Sequence, residues 1–464
     1  MHGIRDGLNH EDAESMPIAV ALIVLVVGSL VFHFLSPWTF TPIASNWGMI
    51  DSTIDITFVV TGVVFVAVNL FMAYAIIRYR HRPGLKAKYE PENKTLETWL
   101  TVVTAVGVAA MLTPGLFVFA KFVTVPEGAT EIEAVGQQWR WTFRLPGEDG
   151  EFGTTNIKLI SVDNPFGIDP DDPDGNDDVP IDDAVVHIPL GEPVRFWLRS
   201  KDVLHNFTVA QFRVKMDLVP GLESYMWLEP TKVGEYEVLC EELCGIAHYA
   251  MRGRVIVDEL EDYQAWVDSQ PTFGEIQART AGDPALGAAS FAVCAACHGA
   301  QGEGLAALNA PKLSGQDPRY LKQQLRKYKA GLRGTHADDV YGRQMQPMAA
   351  TLVNDTLIDN VVAYIGTLPD TPAPVTVTGD VEHGAELYTV CAYCHGADGQ
   401  GIEMNAPRQA GISDWYLLGQ LQNFKAGIRG GHPYDLNGKQ MGLMAQTLLD
   451  EQAIRDVVAY INTL

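Results

Sequence analysis

The sequence has few basic residues for its length. Its 464 residues include 33 Lys and Arg against 57 Asp and Glu, which gives a formal net charge of −24 at pH 7. Proteins that bind nucleic acid use clustered Lys and Arg to neutralise phosphates. We therefore expect no nucleic-acid partner. The length allows about three domains of roughly 150 residues each.

Cysteine is also scarce, and no cysteine stands alone. The six cysteines form three close pairs, which in an exported protein would ordinarily predict three disulfides. Two pairs instead have the spacing C-x-x-C-H: Cys294, Cys297 and His298, then Cys391, Cys394 and His395. This is the attachment pattern of c-type haem, in which both thiols bond to the haem and the histidine ligates iron. The two motifs predict two covalently bound haems.

Long apolar runs are confined to the first quarter of the chain. They are Pro17–Leu35, Ile54–Ile77 and Leu96–Ala120, and each can cross a bilayer as a helix of about 20 residues. We predict transmembrane helices at about 17–36, 54–77 and 97–120, within a membrane anchor at 1–122. The segment before the first run is acidic, unlike the start of a signal peptide, so we expect this helix to be retained.

The short loops between these runs predict the orientation of the anchor. Residues 78–94 contain six Lys or Arg, whereas the loop at 36–52 contains none. Basic loops remain in the cytoplasm. We therefore expect a bacterial inner-membrane protein with a cytoplasmic N-terminus and with everything after residue 121 on the outer, periplasmic side.

The C-terminal part of the chain is a tandem repeat. The segment that begins APKLSG at Ala310 returns as APRQAG at Ala406, and each repeat ends in a related stretch, DNVVAYIGTL or RDVVAYINTL. Each repeat resembles a class I cytochrome c, which implies a small all-α fold around one haem. We place these domains at 284–368 and 381–464, with linkers at 268–283 and 369–380.

A thioether is a frequent sixth ligand of haem iron in such folds. Each repeat offers two methionines at matching positions, and the resemblance favours the first, Met345 and Met441, over Met348 and Met444. The repeated His336 and His432 are alternative ligands, although a histidine in an exposed loop is the simpler interpretation.

A second kind of metal site is predicted in the segment CEELCGIAHYAM, Cys240–Met251. It brings two thiols, an imidazole and a thioether into one loop, and His205 lies upstream among short runs of strand-forming residues. Two thiolates select copper, zinc or an iron–sulfur cluster. Zinc with two Cys and two His remains an alternative, but its spacing is usually C-x₂-C, and Met is an unusual zinc ligand.

This loop, with the upstream VLH and VKMDLVPG, resembles subunit II of haem–copper oxidases. The resemblance implies a cupredoxin-like all-β sandwich, which we place at 123–267, around a binuclear copper centre, CuA. It implies that Cys240 and Cys244 bridge two coppers. The remaining copper ligands would be His205, His248, Met251 and the carbonyl of Glu242. The Glu242 side chain would also reach a magnesium ion at the interface with subunit I.

Two further residues are implied by the same resemblance. Trp139, in GQQWRWTF, matches an aromatic segment through which electrons reach CuA; alternatively, it is a strand residue in the sandwich core. Glu97, in KTLETWL, matches a glutamate at the entrance of a proton path into subunit I; alternatively, it is an interfacial carboxylate.

The predicted membrane helices lack the histidines that oxygen reduction would require. They contain a single histidine, His33, whereas the resemblance implies an active centre of two haems and a copper held by several histidines. That centre must lie on another chain. The resemblance therefore implies the electron-accepting subunit of a proton-translocating cytochrome c oxidase in a caa-type arrangement. Its expected partners are subunit I, subunit III, and cytochrome c or a quinol–cytochrome c reductase as donor.

Two other functions remain open at this point. One is the CuA subunit of a nitric oxide reductase, and the other is a membrane-anchored electron carrier without a dedicated catalytic partner.

The distribution of charge predicts how the haem domains meet the copper domain. Residues 163–183 are strongly acidic, which predicts either a solvated loop or a docking surface for a basic partner. The first repeat contains a basic cluster: Arg319, Lys322, Arg326, Lys327, Lys329 and Arg333. Opposite charges steer association. We therefore expect the first repeat to dock on the copper domain and the second to receive electrons from outside; the reverse order is the alternative.

Overall fold

The structure is a computed structural model that describes residues 8–36, 40–80, 84, 86, 88–161, 163–279, 282–402 and 406–464. Part of the basic loop used to predict orientation, at 81–83, 85 and 87, lies outside the described residues. The chain forms two compact units. One contains the residues up to Glu127 together with Ala210–Arg213, and the other contains Gly128–Val209 and Val214–Leu464.

The first unit consists mainly of three long helices: α1, Leu8–Leu35; α2, Gly48–Arg78; and α3, Lys94–Phe122. All three are long and apolar enough to cross a membrane, and almost none of their apolar spans is buried within the protein. Thr53, Thr57 and Thr61 direct their hydroxyls to carbonyls one turn back in α2, which satisfies them without water. The predicted helical anchor is confirmed, and its helices extend beyond the apolar runs.

A β-sandwich opens the second unit. Its sheets have the strand orders β3-β2-β1-β5-β8 and β4-β10-β9-β6-β7, and their parallel pairs are β1 with β5 and β4 with β10. The strands are β1, Thr130–Gln137; β2, Arg140–Leu145; β3, Val179–Ile181; β4, Val185–Pro189; β5, Val194–Ser200; β6, His205–Thr208; β7, Lys215–Leu218; β8, Ser224–Leu228; β9, Gly234–Leu239; and β10, Arg252–Asp258. The predicted all-β domain is confirmed.

Aromatic side chains fill the space between these sheets. Trp141, Phe143, Phe196 and Phe207 are fully buried, and Trp141 and Phe143 each meet Phe207 edge-on. Aromatic rings supply large buried areas and favour this edge-to-face contact. They form the aromatic part of the core between the two sheets.

The acidic segment 163–183 is not simply a solvated loop. Asp178 is fully buried, and it accepts a 2.8 Å hydrogen bond from Arg144, which also donates to Glu133 at 2.6 Å. Burial raises the pKa of Asp178 to about 7, although the Arg144 guanidinium opposes this effect. The segment is therefore fixed to the sandwich through a buried ionic cluster.

Two short helices follow the sandwich: α4, Leu260–Asp268, and α5, Phe273–Ala278. Phe273 of α5 is buried against Val135, Phe166 and Ile168 of the sandwich. The segment 268–283, which was predicted as a linker, is therefore partly helical and packed onto the strands.

The two repeats are helical and closely alike, as predicted. The first contains α6, Pro284–His298; α7, Pro318–Lys329; α8, Val340–Ala350; and α9, Asp355–Gly366. The second contains α10, Val381–His395; α11, Asp414–Lys425; α12, Leu436–Ala445; and α13, Glu451–Ile461.

In each repeat, the first and last helices make a close contact at a glycine of the first helix. A Cβ at Gly287 of α6 would lie 1.9 Å from the carbonyl oxygen of Asn360 in α9, and one at Gly384 of α10 would lie 2.0 Å from that of Asp456 in α13. The glycine that precedes each C-x-x-C-H motif therefore sets the helix crossing that positions the motif.

Candidate copper centre and haem sites

The ends of neighbouring strands bring the predicted copper ligands together. Cys240 follows β9 and Met251 precedes β10, while His205 begins β6 on the other side of β9. Cys244 and His248 lie in the connection between β9 and β10. Adjacent strands place these residues side by side although His205 is 35 positions from Cys240.

The ligand atoms converge on one small volume. The Cys240 and Cys244 sulfurs are 3.7 Å apart. Nδ1 of His205 lies 3.8 Å from the Cys240 sulfur, and Nδ1 of His248 lies 3.5 Å from the Cys244 sulfur. The Met251 sulfur is 3.9 Å from Cys244, and the Glu242 carbonyl oxygen is 3.3 Å from Cys240. Sulfur and imidazole donors at these separations suit a soft or borderline metal.

The two thiols are close enough to affect each other's ionisation. The hydrogen bond between the sulfurs lowers the pKa of Cys240, although burial opposes this effect. The same hydrogen bond and burial both raise the pKa of Cys244. Nε2 of His205 lies 2.8 Å from a carboxylate oxygen of Asp202, which orients Nδ1 towards Cys240. A carboxylate behind a ligating imidazole is a common feature of metal sites. Asp202 stands three residues before His205, but no feature of the sequence distinguishes it from the other acidic residues of this domain.

Trp139 lies beneath this loop, in the turn between β1 and β2 rather than within a strand. Its indole nitrogen donates to the carbonyl of Cys244 at 3.1 Å, and Gln138 donates to the same carbonyl at 2.6 Å. The indole is buried in contact with the candidate copper loop. Its use in electron transfer stays a prediction.

Gly245 allows this close approach. Its φ is +120°, and a Cβ there would lie 2.9 Å from both Gln138 Nε2 and Trp139 Cζ2. We expect Gly245→Ala to displace the loop, to lower the free energy of unfolding by about 1–3 kcal/mol, and to change the optical spectrum of the copper-loaded protein.

Gly221→Ala is the matched control, because Gly221 has a positive φ of +79° but open space around it. It should leave the copper spectrum unchanged. Equal spectra for the wild type and Gly245→Ala would contradict the packing argument.

The histidines of the two haem motifs are oriented alike. Nδ1 of His298 donates to the Pro311 carbonyl at 2.8 Å, and Nδ1 of His395 donates to that of Pro407 at 2.7 Å. This arrangement leaves Nε2 as the ligating atom. Nε2 of His395 is buried and has no hydrogen-bond partner. An unpaired buried nitrogen is costly unless a ligand completes it, so this site fits a haem iron.

A cavity of about 500 Å³ runs along both repeats. Its lining includes residues of each predicted haem site: Cys294, His298, Met345, Cys394, His395 and Met441. Met444 also lines the cavity, so the choice between Met441 and Met444 stays a prediction. His336 and His432 lie in turns, where each Nδ1 accepts a backbone N–H bond.

The second repeat contacts the copper loop. The Tyr249 hydroxyl donates to the carbonyl of Leu443 at 3.2 Å, and Gln440 donates to the carbonyl of Trp139 at 3.1 Å. Tyr434 is hydrogen-bonded to Glu235 of β9. Helix α12 therefore lies against the loop that contains the candidate copper ligands.

The basic cluster of the first repeat contacts the copper domain only in part, among the described residues. Arg319 does pair with Asp182 of the sandwich at 2.5 Å. Arg326, however, pairs with Asp355 of its own repeat, and Lys327 pairs with Asp435 of the second repeat. Most residues of the cluster form contacts within or between the two repeats. The local concentration of charge in the sequence does not indicate these contacts.

Glu97 lies in the first turn of α3. Its carboxylate accepts a 3.3 Å hydrogen bond from the backbone N–H of Asn93, while the Asn93 side chain accepts one from Leu96. These reciprocal bonds cap the helix. A role for Glu97 in proton uptake stays a prediction.

Comparison with known protein families agrees with this architecture. Residues 130–259 match the family described as cytochrome C oxidase subunit II, periplasmic domain. Residues 284–369 and 381–464 each match the family described as cytochrome c.

Individual proteins resemble different parts of the chain. Alternative cytochrome c oxidase subunit 2 of Bradyrhizobium diazoefficiens is 55% identical over 266 residues, which are 57% of this chain and 96% of that protein. Cytochrome c oxidase subunit 2 of Alkalihalophilus pseudofirmus is 29% identical over 252 residues, which are 52% of this chain and 65% of that protein. The crystal structure of cytochrome c4 from Pseudomonas stutzeri is 28% identical, covers 40% of this chain and all of that chain, and has a TM-score of 0.32.

Proposed function

Because the chain belongs to the cytochrome c oxidase subunit 2 family, we propose that it is the electron-accepting subunit of a respiratory haem–copper oxidase. Electrons from an external donor would pass along the two cytochrome domains to the loop Cys240–Met251 and on to a partner chain that reduces oxygen. The observation that supports this most directly is the convergence of two sulfurs, two imidazoles, a thioether and a carbonyl within that loop.

We assign the copper ligands by their positions around the two sulfurs. Cys240 and Cys244 would bridge a copper pair, and His205 and His248 would each complete one copper. Met251 and the Glu242 carbonyl would be weak ligands, one beside each sulfur. When bound, this centre would supply one-electron redox chemistry. The chain's contribution is a rigid, largely buried frame that needs little rearrangement when the charge changes.

We assign one covalent haem to each repeat. Cys294 and Cys297 would hold the first, and Cys391 and Cys394 the second. His298 and His395 would ligate iron through Nε2, since Nδ1 of each is engaged with a backbone carbonyl. Met345 and Met441 would be the opposite ligands. Backbone-bound imidazoles keep their ring planes fixed, which holds the coordination geometry constant.

The contacts of α12 lead us to propose an order for the electron path. The second repeat meets the copper loop through Tyr249 and Trp139, so electrons would leave the haem domains from the second repeat. The external donor would then reduce the first repeat. This reverses the order expected from the charge distribution alone.

A matched pair of glutamines tests this order. Gln440 donates to the Trp139 carbonyl, whereas Gln344 occupies the same position of the first repeat and is exposed. In Gln440→Glu, a carboxylate that has no hydrogen to donate would face the Trp139 carbonyl. The loss of this hydrogen bond costs about 1–3 kcal/mol. We expect the copper centre to be reduced about tenfold more slowly once the haems are reduced, as measured by stopped-flow absorption.

Gln344→Glu should leave this internal step unchanged. If it slowed the step while Gln440→Glu did not, the electron path would run through the first repeat. If neither variant changed the rate, the contact with α12 would not be part of the path.

We propose the location and the partners of the protein from its membrane anchor and its family. We place its three helices in a bacterial inner membrane, because they are long and apolar enough to span one, and we place the sandwich and both repeats on the periplasmic side. In the membrane, the protein would contact subunit I and subunit III. The Glu242 side chain would reach a magnesium ion at the interface with subunit I. Glu97 would lie at the opposite, cytoplasmic end of α3, near a proton path of subunit I. Cytochrome c or a quinol–cytochrome c reductase would serve as donor.

A further inference from the structure

Helix α8 of the first repeat has one exposed face whose counterpart in the second repeat forms an interface. Five exposed residues of α8 lie within less than half of the helix circumference, because successive residues of an α-helix are about 100° apart. We call this surface the α8 face: Val340, Tyr341, Arg343, Gln344 and Pro347.

The equivalent face of α12 is turned towards the copper domain. Gln440 donates to the Trp139 carbonyl at 3.1 Å, and the carbonyl of Leu443 accepts from the Tyr249 hydroxyl at 3.2 Å. The offset of 96 between the repeats makes Gln440 and Leu443 the counterparts of two residues of the α8 face, Gln344 and Pro347.

Exposure to solvent differs between the two faces. Val340 is 57% exposed, whereas its counterpart Leu436 is 7% exposed. Arg343 is exposed, whereas its counterpart Lys439 is half-buried. The first repeat therefore leaves uncovered the surface through which the second repeat meets the copper domain.

The α8 face combines apolar and polar side chains. Val340 and Tyr341 are each more than half exposed, and Pro347 is exposed beside them on the helix surface. Arg343 and Gln344 supply polar groups within the same arc. Interfaces between proteins commonly have an apolar centre and a polar rim. The composition of this face is therefore that of a contact surface.

Positive charge predominates around this face. Arg343 is exposed, and the Lys329 ammonium donates to the Val353 carbonyl at 2.8 Å just beyond the end of α8. In the part of the chain that the structure describes, neither cation pairs with a carboxylate. The exposed Asp338 opposes this charge at the start of α8, where Nδ1 of His336 lies 3.8 Å from its carboxylate.

The two repeats also differ in total charge. Residues 284–368 contain eight Lys and Arg against six Asp and Glu, whereas residues 381–464 contain five against nine. The chain as a whole has a formal net charge of −24. Opposite charges steer association. An acidic protein would therefore be repelled by most of this molecule and attracted to the first repeat.

We propose that the α8 face is the docking site of the external electron donor, and that this donor is a small redox protein with an acidic surface around an apolar centre. This rests on the proposed function, in which electrons enter at the first repeat and leave from the second. The donor would occupy the position on α8 that the copper domain occupies on α12. In each encounter one electron would pass from the reduced donor to the haem of the first repeat, which oxidises the donor.

The size and charge of the face suit a transient partner. Electron-transfer encounters are at the small end of protein interfaces, at less than about 1,200 Å². Charge then matters chiefly for the association rate, which opposite potentials raise by about 10–1,000-fold at low salt. We therefore expect the contribution of Arg343 to appear in the rate of donor binding.

Stopped-flow reduction of the haems in the purified full-length protein tests the charge of the donor. The probe is a reduced, basic class I cytochrome c, used unmodified and after succinylation of its lysines, which replaces their positive charges by negative ones. The succinylated form should reduce the haems at least about tenfold faster at low salt. High salt should remove this difference, because it screens exposed charges. A faster reaction of the unmodified form at low salt would overturn the proposal.

Surface variants test the position of the docking site. Arg343→Glu should slow the reaction with the succinylated probe about tenfold and reduce its dependence on salt. Tyr341→Ser should slow it by a smaller factor without changing the salt dependence, because it removes apolar contact area only. Lys439→Glu is the matched control at the equivalent position of α12, and it should leave the reaction with the probe unchanged. If Lys439→Glu slowed this reaction while Arg343→Glu did not, the donor would dock on the second repeat.

A small uncharged reductant separates this proposal from the one on which it rests. It needs no docking surface, so it should reduce both haems at the same rate in every variant. A wild-type protein without two reducible haems would overturn the proposed function. Two reducible haems, with probe rates unchanged in Arg343→Glu and Tyr341→Ser, would overturn the docking site alone. A change of mass in Arg343→Glu by sedimentation, without a change of probe rate, would assign the face to a second copy of this chain and would also overturn it.

Discussion

The Cys244→Ser variant should lose the copper centre and with it electron transfer to the partner chain. The Cys244 sulfur lies within 3.5–3.9 Å of Cys240, His248 and Met251, so it contacts three of the other candidate ligands. Serine is a hard, poorly ionised oxygen ligand in place of a soft thiolate. Loss of a residue that merely supports a ligand costs about 10–100-fold in metal affinity, and loss of a bridging ligand should cost more.

Copper content and the rate of oxygen consumption by the purified complex measure this effect. We expect copper to fall to background and turnover to fall by at least about 100-fold, while both haems remain reducible by a small-molecule donor. Leu243→Ser is the matched control, since this neighbouring side chain is 82% exposed. A Cys244→Ser variant with full copper content and turnover would rule out the proposed ligand set.

The second large effect is expected in the buried ionic cluster of the sandwich. Arg144 is 3% exposed and joins Glu133, Asp178 and the carbonyl of Gly153. Arg144→Met would leave two buried carboxylates without this partner. Breaking a buried ion pair in this way typically costs about 3–5 kcal/mol, and we expect a loss of that size in the free energy of unfolding.

Hydrogen exchange of the backbone amides in β1 and β2 measures this loss within the intact protein. Arg195→Met is the control, because the Arg195–Glu131 pair also lies on the sandwich but is partly exposed to water. Its cost should be about 1 kcal/mol or less. Equal exchange rates in the two variants would show that the Arg144 cluster does not stabilise the sandwich more than a surface pair.

The candidate ligands could be predicted from the sequence because their chemistry is local. Five of the six residues of the copper set fall within twelve consecutive positions, and each haem motif occupies five. Only His205 lies at a distance, among short runs of strand-forming residues. The structure supplies the adjacent strands that bring it to Cys240.

The contacts between domains could not be predicted because they depend on which surfaces meet. The basic cluster of the first repeat suggested docking on the acidic sandwich, yet Arg326 and Lys327 are engaged by Asp355 and Asp435. Charge counts do not distinguish an ion pair within a domain from one between domains. The burial of Asp178 was equally hidden, because its partner Arg144 is 34 residues away.

The contacts between the two repeats show the same limit in another form. The repeat made the offset of Arg333 and Arg429 visible, but sequence similarity between two repeats does not reveal that they face each other. Only the packing of α7 against the second repeat places Tyr320 beside Arg429.

The measurement that tests the central claim most directly is the metal content of the purified complex together with its electron paramagnetic resonance spectrum. The account predicts two coppers and two covalent haems per chain, with a hyperfine pattern of one unpaired electron shared by two copper nuclei. That signal should disappear in Cys244→Ser. A single zinc ion in the loop, or a spectrum of one isolated copper, would contradict the assignment of Cys240–Met251.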